Sequence, residues 1–306
     1  MRILVTGSSG FIGTHLCEGL AGSHTLLGLD RREPPTRVEN VGYHTVELQA
    51  PEQVRAQVRA ADPEVIVHLA AQARVDPSFS DPLATYADNI LSTLNLIQAG
   101  LSESSHLRKF VYVSSETVYG PSTTYPTAED AALNPQSPYA ASKAASELLV
   151  RSAFQGRALI LRSGMTYGPH GDPHAQLVTR FIERALKGES ILFPVQLAVA
   201  DHPTRDVNYV ANFVDGARSA IETDAAGTFN VASGKELSIL DLAKAVVSRV
   251  GSGRVELSSG YRYQQGEEGL RTWLDISKAK EAFDYSPRVD LSEGLERTIR
   301  SMRSVA

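Results

Sequence analysis

The sequence predicts an α/β protein with a doubly wound parallel sheet and a smaller C-terminal lobe. Two observations carry this prediction. Short apolar runs alternate with longer segments of helical period through the first half of the chain, which is typical of parallel strands joined by helices. The runs also contain few charges, as strands covered by helices on both faces require.

Five strands and four helices are predicted in the first half of the chain. The strands are residues 2–6, 25–29, 65–69, 110–114 and 158–162, all rich in aliphatic or aromatic side chains. The helices are residues 11–20, 51–60, 83–100 and 138–153. Pro138 suits the first position of its helix, because the φ angle of proline is fixed and its missing N–H is not needed there.

Beyond about residue 165 the pattern loosens into loops that contain many glycines and prolines. Helical periodicity returns at residues 177–187, 209–222, 238–250 and 290–302. We therefore place a boundary near residue 168, between a first domain of residues 1–168 and a second lobe of residues 169–306. The two are expected to interleave, because a strand at residues 227–231 can return to the first sheet.

Composition and charge exclude several classes of protein. Thirty Lys and Arg against 35 Asp and Glu give a net charge of −5 without a basic run, so a nucleic acid partner is not expected. No apolar stretch approaches the ~18 residues of a membrane span, and the N-terminal residues lack a secretory pattern. The lone cysteine, Cys17, can form neither an internal disulfide nor a cysteine-rich zinc site. We expect a cytoplasmic protein without a metal, whose partner is a small molecule.

Three glycines in the segment GSSGFIG, residues 7–13, follow the first predicted strand and open the first helix. Glycines at this spacing allow a tight turn and let backbone N–H groups approach a pyrophosphate. Asp30 ends the second strand, where a carboxylate can accept both hydroxyls of an adenosine ribose. These features predict a Rossmann-type NAD site. Arg31 and Arg32 follow Asp30, and they leave NADP as the less favoured alternative.

Tyr139 and Lys143 stand one helical turn apart near the start of the predicted helix 138–153, so their side chains share a face. An ammonium beside a phenol favours the phenolate and lowers the pKa of the tyrosine from its free value of about 10. Such a tyrosine can act as a general base near neutral pH. The alternative is an exposed pair of helical side chains without a catalytic role.

Polar side chains follow the fourth predicted strand, in the segment SSETVYG at residues 114–120. Doubly wound sheets bind ligands at the carboxyl edge, so Ser115 is placed to reach a substrate oxygen. Glu116 and Thr117 add a carboxylate and a hydroxyl to the same loop. Turn formation and surface packing are the alternative explanation for these two residues, and the favoured one for Tyr119.

These residues together resemble the extended short-chain dehydrogenase/reductases that act on nucleotide sugars, a family of NAD-dependent epimerases and dehydratases. The resemblance covers nearly the whole chain. Its motifs are TGSSGFIG at 6–13, Asp30, HLAAQARVDPS at 68–78 with Asn89 after it, SSETVYG at 114–120, YAASK at 139–143, RSGMTYGP at 162–169, TRDVNYV at 204–210, FNVASG at 229–234 and LDISKAKEAF at 274–283. It implies a cycle of oxidation and reduction at a sugar carbon, with a nucleotide-sugar-binding lobe at residues 169–306.

The resemblance also implies roles for individual residues. The catalytic residues of the family match Ser115, Tyr139 and Lys143, with Glu116 and Thr117 in the same loop. Its NAD contacts match Gly7, Gly10, Phe11, Ile12, Gly13, Asp30, Arg31, Glu47, Leu48, Leu69, Ala70 and Ala71, together with Tyr139 and Lys143; Glu47 falls where the adenine amine is bound. Substrate contacts are expected at Arg74, Ser115, Met165, Arg205 and Arg271, with Arg205 facing the nucleotide diphosphate.

Two positions depart from the family pattern. Met165 stands where an asparagine usually contacts the diphosphate, and a thioether cannot donate that hydrogen bond. Gln265 falls where the family often supplies a second arginine for the diphosphate. Either Arg262 or Arg271 can take the place of that arginine, and the sequence does not choose between them.

The expected reaction depends on the two residues after Ser115. Dehydratases of this family typically carry an acid pair there, whereas this chain has Glu116 and Thr117. Threonine cannot act as a carboxylate base, so we favour epimerisation at C4 of a nucleotide hexose. A UDP-sugar is the favoured substrate. The carboxyl group of Glu116 can take part in an elimination, so a 4,6- or 5,6-dehydratase is the alternative. An NAD-binding protein without catalysis is the third possibility.

The resemblance implies a homodimer, because members of the family often pair through two helices that match residues 83–100 and 138–153 here. Leu94, Ile97, Leu148 and Leu149 supply apolar side chains for such a four-helix interface. The same side chains can equally belong to the core.

Overall fold

The computed structural model describes residues 1–172, 176–195, 202–262 and 270–305. Its strands are β1 (Arg2–Thr6), β2 (Thr25–Asp30), β3 (Val41–Thr45), β4 (Val65–His68), β5 (Lys109–Ser115), β6 (Ala158–Ser163), β7 (Met165–Tyr167), β8 (Ser190–Pro194), β9 (Thr204–Arg205), β10 (Val207–Tyr209), β11 (Gly227–Val231), β12 (Leu237–Ser238) and β13 (Arg254–Ser258). Seven of them form one parallel sheet in the order β3-β2-β1-β4-β5-β6-β11. The strand order reverses between β1 and β4, which opens a crevice beyond their carboxyl ends. The predicted doubly wound sheet is confirmed.

Helices cover both faces of this sheet. They are α1 (Phe11–Leu20), α2 (Pro51–Ala61), α3 (Val75–Ser80), α4 (Pro82–Tyr86), α5 (Ser92–Glu103), α6 (Pro138–Phe154), α7 (Leu177–Leu186), α8 (Val210–Glu222), α9 (Ile239–Val250), α10 (Ser277–Phe283) and α11 (Leu291–Val305). Alternate residues of β1 separate the two faces. Ile3 and Val5 join the core that contains residues of α1 and α8, whereas Leu4 joins the core that contains residues of α2 and α5. Burial on both faces explains the continuous apolar runs of these strands.

Strand β3 and the predicted helix 83–100 are two of the places where the structure differs from the sequence prediction. The edge strand β3 was not predicted, because most of its side chains are exposed and its sequence, VGYHT, is not an apolar run. The predicted helix 83–100 is interrupted, since a π-helical turn at Ala87–Leu91 separates α4 from α5. A single π turn widens the backbone while the hydrophobic period of the helix changes little, so the sequence pattern did not show it.

The second half of the chain adds three small sheets to the main one. Strand β7 pairs with β10, β9 with β12 and β8 with β13, while β11 joins the main sheet beside β6. A boundary near residue 168 stays a prediction. Within the described ranges, no helix combines the length and the apolar content needed to cross a bilayer.

Helix α6 is tied to β6 by a buried ion pair. Glu147 accepts hydrogen bonds from Arg162 Nε at 3.0 Å and from Arg162 Nη2 at 2.7 Å. The guanidinium of Arg162 also lies 4.7 Å from the centre of the Tyr119 ring. Tyr139, Lys143 and Glu147 follow one another at intervals of one turn, so the ion pair fixes the face of α6 that carries the predicted catalytic residues.

Candidate active site

The glycine loop between β1 and α1 has no room for side chains at two positions. Gly7 has a φ of +72°, and a Cβ there would lie 2.7 Å from the backbone nitrogen of Ala70. A Cβ on Gly13 would lie 2.0 Å from the carbonyl oxygen of Gly7. Gly10 is the N-cap of α1 and makes no side-chain hydrogen bond, which leaves the first N–H groups of the helix without a side-chain cap. This cradle fits a pyrophosphate held by backbone N–H groups.

Asp30 is held at the end of β2 by one backbone N–H group on each carboxylate oxygen. Ser9 N–H donates to Oδ2 and Arg32 N–H donates to Oδ1, both at 3.1 Å. Arg31 forms an ion pair with Asp88 at 3.4 Å. A fixed carboxylate beside the glycine loop, with Arg31 already paired, fits ribose hydroxyls better than a 2′-phosphate.

Other predicted cofactor residues follow β3 and β4. Leu69 N–H donates to the carbonyl oxygen of Thr6 at 3.2 Å, and Ala70 N–H donates to its hydroxyl at 3.4 Å. Leu48 is buried and its carbonyl oxygen accepts from Asn95. The remaining predicted contacts are the half-buried residues Phe11, Ile12 and Ala71 and the exposed residue Glu47. Their contacts with the cofactor stay predictions.

Asn89 joins the loop after β4 to α6, and the sequence assigned it no role in the site. It lies in the π turn and is buried. Its Oδ1 accepts from Gln72 N–H at 2.7 Å, while its Nδ2 donates to the Gln72 carbonyl at 3.1 Å and to Ser142 Oγ at 2.8 Å. Ser142 donates in turn to the Tyr139 carbonyl oxygen at 2.7 Å. Asn89 therefore positions the start of α6; the family resemblance included this residue in its pattern but gave it no role.

Ser115 ends β5 and caps a short 3₁₀ turn, Glu116–Val118. Its Oγ accepts from the Thr117 N–H at 3.2 Å and from the Thr117 hydroxyl at 3.0 Å. Because Ser115 accepts twice, its own hydroxyl proton is available for donation. A hydrogen bond with Ser115 favours the ionised form of Tyr139. The structure thus brings Ser115, Thr117 and Tyr139 together, as the sequence predicts.

Tyr139 and Lys143 are both buried. Lys143 Nζ donates to the Val113 carbonyl oxygen at 2.5 Å and lies 4.4 Å from the centre of the Tyr112 ring. Burial lowers the pKa of Lys143 to about 7. Burial also raises the pKa of Tyr139, against the hydrogen bond from Ser115. The expectation that Lys143 brings the pKa of Tyr139 below its free value is wrong in this structure, because desolvation of the phenol dominates.

Glu116 is buried beside Ser115, with only 7% of its surface exposed. Burial raises its pKa to about 8; Asp206 acts in the same direction, while Arg205 and Thr272 act against it. The pKa of Asp206 is also raised by burial, to about 6, although hydrogen bonds oppose the shift. Two buried carboxyl groups therefore lie in one neighbourhood, and burial favours the protonated form of Glu116.

Two of the predicted substrate arginines already have protein partners. Arg205 is buried, and its Nη1 donates to the carbonyl oxygens of Thr204 and Leu270, both at 2.9 Å. Arg271 forms two hydrogen bonds with Glu236, at 2.6 and 2.8 Å. Because the carboxylate of Glu236 already neutralises its charge, Arg271 is a weaker candidate than Arg205 for binding a diphosphate.

The other predicted substrate residues are less informative. Met165 is half-buried and begins β7, and Arg74 is exposed. Arg262 is exposed and donates to the carbonyl oxygens of Ser259 and Tyr261, whereas Gln265 lies outside the described residues. Among the residues that the structure describes, no three His, Cys, Asp or Glu side chains are arranged to hold a metal.

Comparison with known proteins identifies the family. Residues 3–232 match the profile of the NAD dependent epimerase/dehydratase family. The chain belongs to this family. It is 34% identical, over 322 aligned residues and 99% of both chains, to a UDP-glucose 4-epimerase of Mycolicibacterium smegmatis.

Two solved structures share the fold over the whole chain. A UDP-glucose 4-epimerase of Thermotoga maritima, solved with UDP-glucose, has a TM-score of 0.89 and 28% identity and covers 100% of this chain and 99% of its own. A UDP-glucose 4-epimerase of Thermus thermophilus, solved with NAD, has a TM-score of 0.88 and 30% identity and covers 100% of both chains. The predicted family, the NAD cofactor and an enzymatic role are confirmed, so the non-catalytic alternative is set aside.

Proposed function

We propose that this protein is an NAD-dependent nucleotide-sugar 4-epimerase whose substrate is a UDP-hexose. The observation that carries the proposal is the hydroxyl pair beside Tyr139. Position 117, where an elimination would need a carboxylate base, holds a threonine that donates to Ser115 at 3.0 Å. Similarity over nearly the full chain to a UDP-glucose 4-epimerase supports the same reaction.

The residues around Tyr139 can move the proton that such a reaction requires. Bound NAD, held by the glycine loop and Asp30, supplies the acceptor for a hydride from C4 of the sugar and later its donor. Tyr139 removes the C4 hydroxyl proton as a general base, and Ser115 donates a hydrogen bond to the same oxygen. Lys143, when protonated, favours the phenolate of Tyr139. Reduction returns the hydride to C4 and the proton to its oxygen. The configuration at C4 is inverted if the sugar has rotated so that the hydride is added to the opposite face.

Arg205 is the proposed anchor of the diphosphate during that turn. It is a buried cation, and its charge acts on Glu116. An anchored diphosphate lets the hexose rotate while the nucleotide stays bound.

The proposal is tested by replacing Tyr139 with phenylalanine. We expect Tyr139→Phe to lower the turnover of UDP-glucose or UDP-galactose by at least ~100-fold, because general base catalysis is lost. NAD should remain bound, since its phosphates are expected on the glycine loop. Coupled assays of the epimerised sugar and spectroscopy of bound NAD measure the two effects. Unchanged turnover would refute the assignment.

A dehydratase is the second candidate, and the state of Glu116 favours it. Burial raises the pKa of Glu116 to about 8, so at neutral pH this side chain is an acid that can protonate a leaving hydroxyl. Mass spectrometry of the product decides between the reactions. An epimer keeps the mass of the substrate, whereas loss of one water from a UDP- or dTDP-hexose would overturn the epimerase proposal.

We also propose a homodimer formed through α5 and α6. Leu94 and Leu148 are exposed, as an interface requires. Leu91, at the end of the π turn, and Leu101 on α5 are exposed as well and extend the stripe that contains Leu94. Ile97 is buried in the core and Leu149 is partly buried against it. The core alternative therefore holds for Ile97, and Leu149 packs partly against the core. A cytoplasmic location stays the expectation that the lone cysteine suggested.

A further inference from the structure

A surface groove lies at the carboxyl ends of β2 and β3, beside the glycine loop. Its walls include Asp30, Arg32 and Glu33 from the end of β2 and the segment after it, and Tyr43 and Thr45 from β3. We call it the Asp30 groove. A carboxylate at the end of this strand of a Rossmann-type site accepts the hydroxyls of the adenosine ribose. The 2′ position of the cofactor is therefore expected at this groove.

Glu33 is a second carboxylate held in the wall of the Asp30 groove. Thr45, which is opposite Asp30 in the pairing of β2 with β3, donates from its hydroxyl to Glu33 Oε1 at 2.9 Å. Arg37 Nη2 donates to Glu33 Oε2 at 2.7 Å. Both oxygens have a partner, so the negative charge of Glu33 stays beside the groove although 61% of the side chain is exposed.

The charges around the Asp30 groove favour a neutral ribose. Among the described residues of its wall, Asp30 and Glu33 supply two carboxylates, whereas Arg32 supplies one guanidinium. Arg37 lies next to the groove, 5.7 Å from the centre of the Tyr43 ring, but its charge is paired with Glu33. A 2′-phosphate carries about two negative charges at neutral pH. Two carboxylates within a few ångströms repel such a group.

We propose that Glu33 is a further specificity-determining residue for the cofactor, which acts with Asp30 to exclude the 2′-phosphate of NADP. Asp30 offers hydrogen-bond acceptors to the ribose hydroxyls, whereas Glu33 acts through its charge and keeps Arg37 paired. Loss of the Glu33 charge removes one repulsion and leaves the guanidinium of Arg37 able to attract a phosphate. The inference goes beyond the proposed function, because it concerns the cofactor and applies to an epimerase and a dehydratase alike.

Cofactor binding by a series of charge variants tests this role. Protein freed of NAD is titrated with NADH and with NADPH, and the fluorescence of the reduced nicotinamide measures both dissociation constants. We expect wild-type protein to bind NADPH at least ~100-fold more weakly than NADH. Glu33→Gln should reduce this ratio about tenfold and Glu33→Lys by a further ~3-fold or more, mainly through tighter binding of NADPH. Equal affinities in the wild type, or a ratio that Glu33→Gln changes by less than ~2-fold, would overturn the inference.

Glu39→Gln is the matched control. Glu39 is an exposed carboxylate in the same connection between β2 and β3, and its replacement changes the net charge of the protein by the same amount. It is outside the described wall of the Asp30 groove, so the NADPH to NADH ratio should stay within ~2-fold of the wild type. An effect of Glu39→Gln as large as that of Glu33→Gln would show that net charge, and not the groove, selects the cofactor.

Salt separates repulsion from a structural effect of Glu33. Because salt screens exposed charges, raising NaCl from about 0.02 M to about 0.5 M should lower the NADPH to NADH ratio of the wild type and lower it less in Glu33→Gln. The same salt dependence in both proteins would contradict the electrostatic role. Each ratio compares two cofactors on one protein, so a general loss of stability in a variant affects both. A protein that binds NADH but turns over no UDP-hexose contradicts the proposed function and leaves this test valid.

Discussion

Burial controls the charge of the ionisable side chains around Tyr139. It lowers the pKa of Lys143 to about 7 and raises that of Glu116 to about 8. It also lowers the pKa of His68 to about 3, so this imidazole is neutral between the hydroxyls of Thr6 and Thr93. Burial shifts each of these groups toward its neutral form, because the charged form would lose its hydration inside the protein.

Glu116 should make the stability of the protein depend on pH. Its pKa is about 8 in the folded chain and near the ordinary 4.5 in the unfolded chain, so the folded state binds more protons between these values. The free energy of unfolding therefore falls as pH rises from 4.5 to 8. We expect Glu116→Gln to have little effect at pH 5 and to stabilise the protein by about 2 to 4 kcal/mol at pH 8, below the ~5 kcal/mol that the whole shift allows.

Urea unfolding of the NAD-free protein at both pH values measures this difference. Glu236 is the matched control, because Arg271 holds the pKa of its carboxyl below the usual value. The ionised carboxylate of Glu236 stabilises the folded protein above pH 4.5, where it pairs with Arg271. Glu236→Gln should therefore lower the free energy of unfolding at pH 8. A stabilisation by Glu116→Gln that is equal at pH 5 and pH 8 would contradict the protonation assigned to Glu116.

Ser115 should affect the pKa of Tyr139, the proposed base, as well as bind the substrate. Its hydrogen bond lowers the pKa of Tyr139, so Ser115→Ala should raise that pKa. Because the phenolate is the active form, the acidic limb of the kcat profile should move to higher pH by about half a unit to one unit. We expect kcat at pH 7 to fall about 10- to 100-fold. A profile that keeps its acidic limb while kcat falls would limit Ser115 to substrate binding.

At the level of secondary structure elements, the π turn between α4 and α5 determines how α6 is held. The turn carries Asn89, which bonds both Gln72 in the loop after β4 and Ser142 on α6. The loop after β4 borders the proposed NAD crevice, and α6 carries Tyr139. One side chain thus links the two elements on which cofactor and sugar are expected to meet.

Removal of the Asn89 side chain should weaken this link. Asn89→Ala removes the hydrogen bonds that Asn89 makes with Gln72 N–H and Ser142 Oγ. We expect a loss of about 2 to 4 kcal/mol of stability together with weaker NAD binding. Arg300→Ala, at an exposed position of α11, should change stability by less than ~0.5 kcal/mol. Chemical unfolding and NAD titration measure both variants. Equal stability of the two variants would show that Asn89 does not hold α6.

At the scale of the whole molecule, exposed leucines on α5 and α6 predict how two copies meet. Leu148 on α6 is 56% exposed and Leu94 on α5 is 40% exposed. We expect the double variant Leu94→Asp and Leu148→Asp to shift the protein from dimer to monomer, because the dimer would bury negative charges that have no cationic partner. Analytical ultracentrifugation measures the mass. Leu257 is the control, since it is also 56% exposed but lies on β13, and Leu257→Asp should leave the dimer intact. A monomeric wild-type protein would contradict the proposed dimer.

Local sequence determined the elements that make the sheet and the nucleotide-binding loop. Apolar runs placed β1, β2, β4, β5 and β6, because strands buried on both faces need uninterrupted apolar side chains. The glycines of residues 7–13 and the spacing of Tyr139 and Lys143 are equally local, since a turn and a helical face are set by neighbours in the chain.

Only the tertiary structure decided which side chains meet and which are charged. Glu116 acquires its raised pKa from burial and from Asp206, and Asn89 meets Ser142 of α6 through a π turn that the hydrophobic period does not reveal. Likewise, Ile97 is buried while Leu94 is exposed, although both lie on one apolar helix. Burial and pairing depend on segments far apart in the sequence, so local patterns determine the elements, and the packing of those elements determines the chemistry of the site.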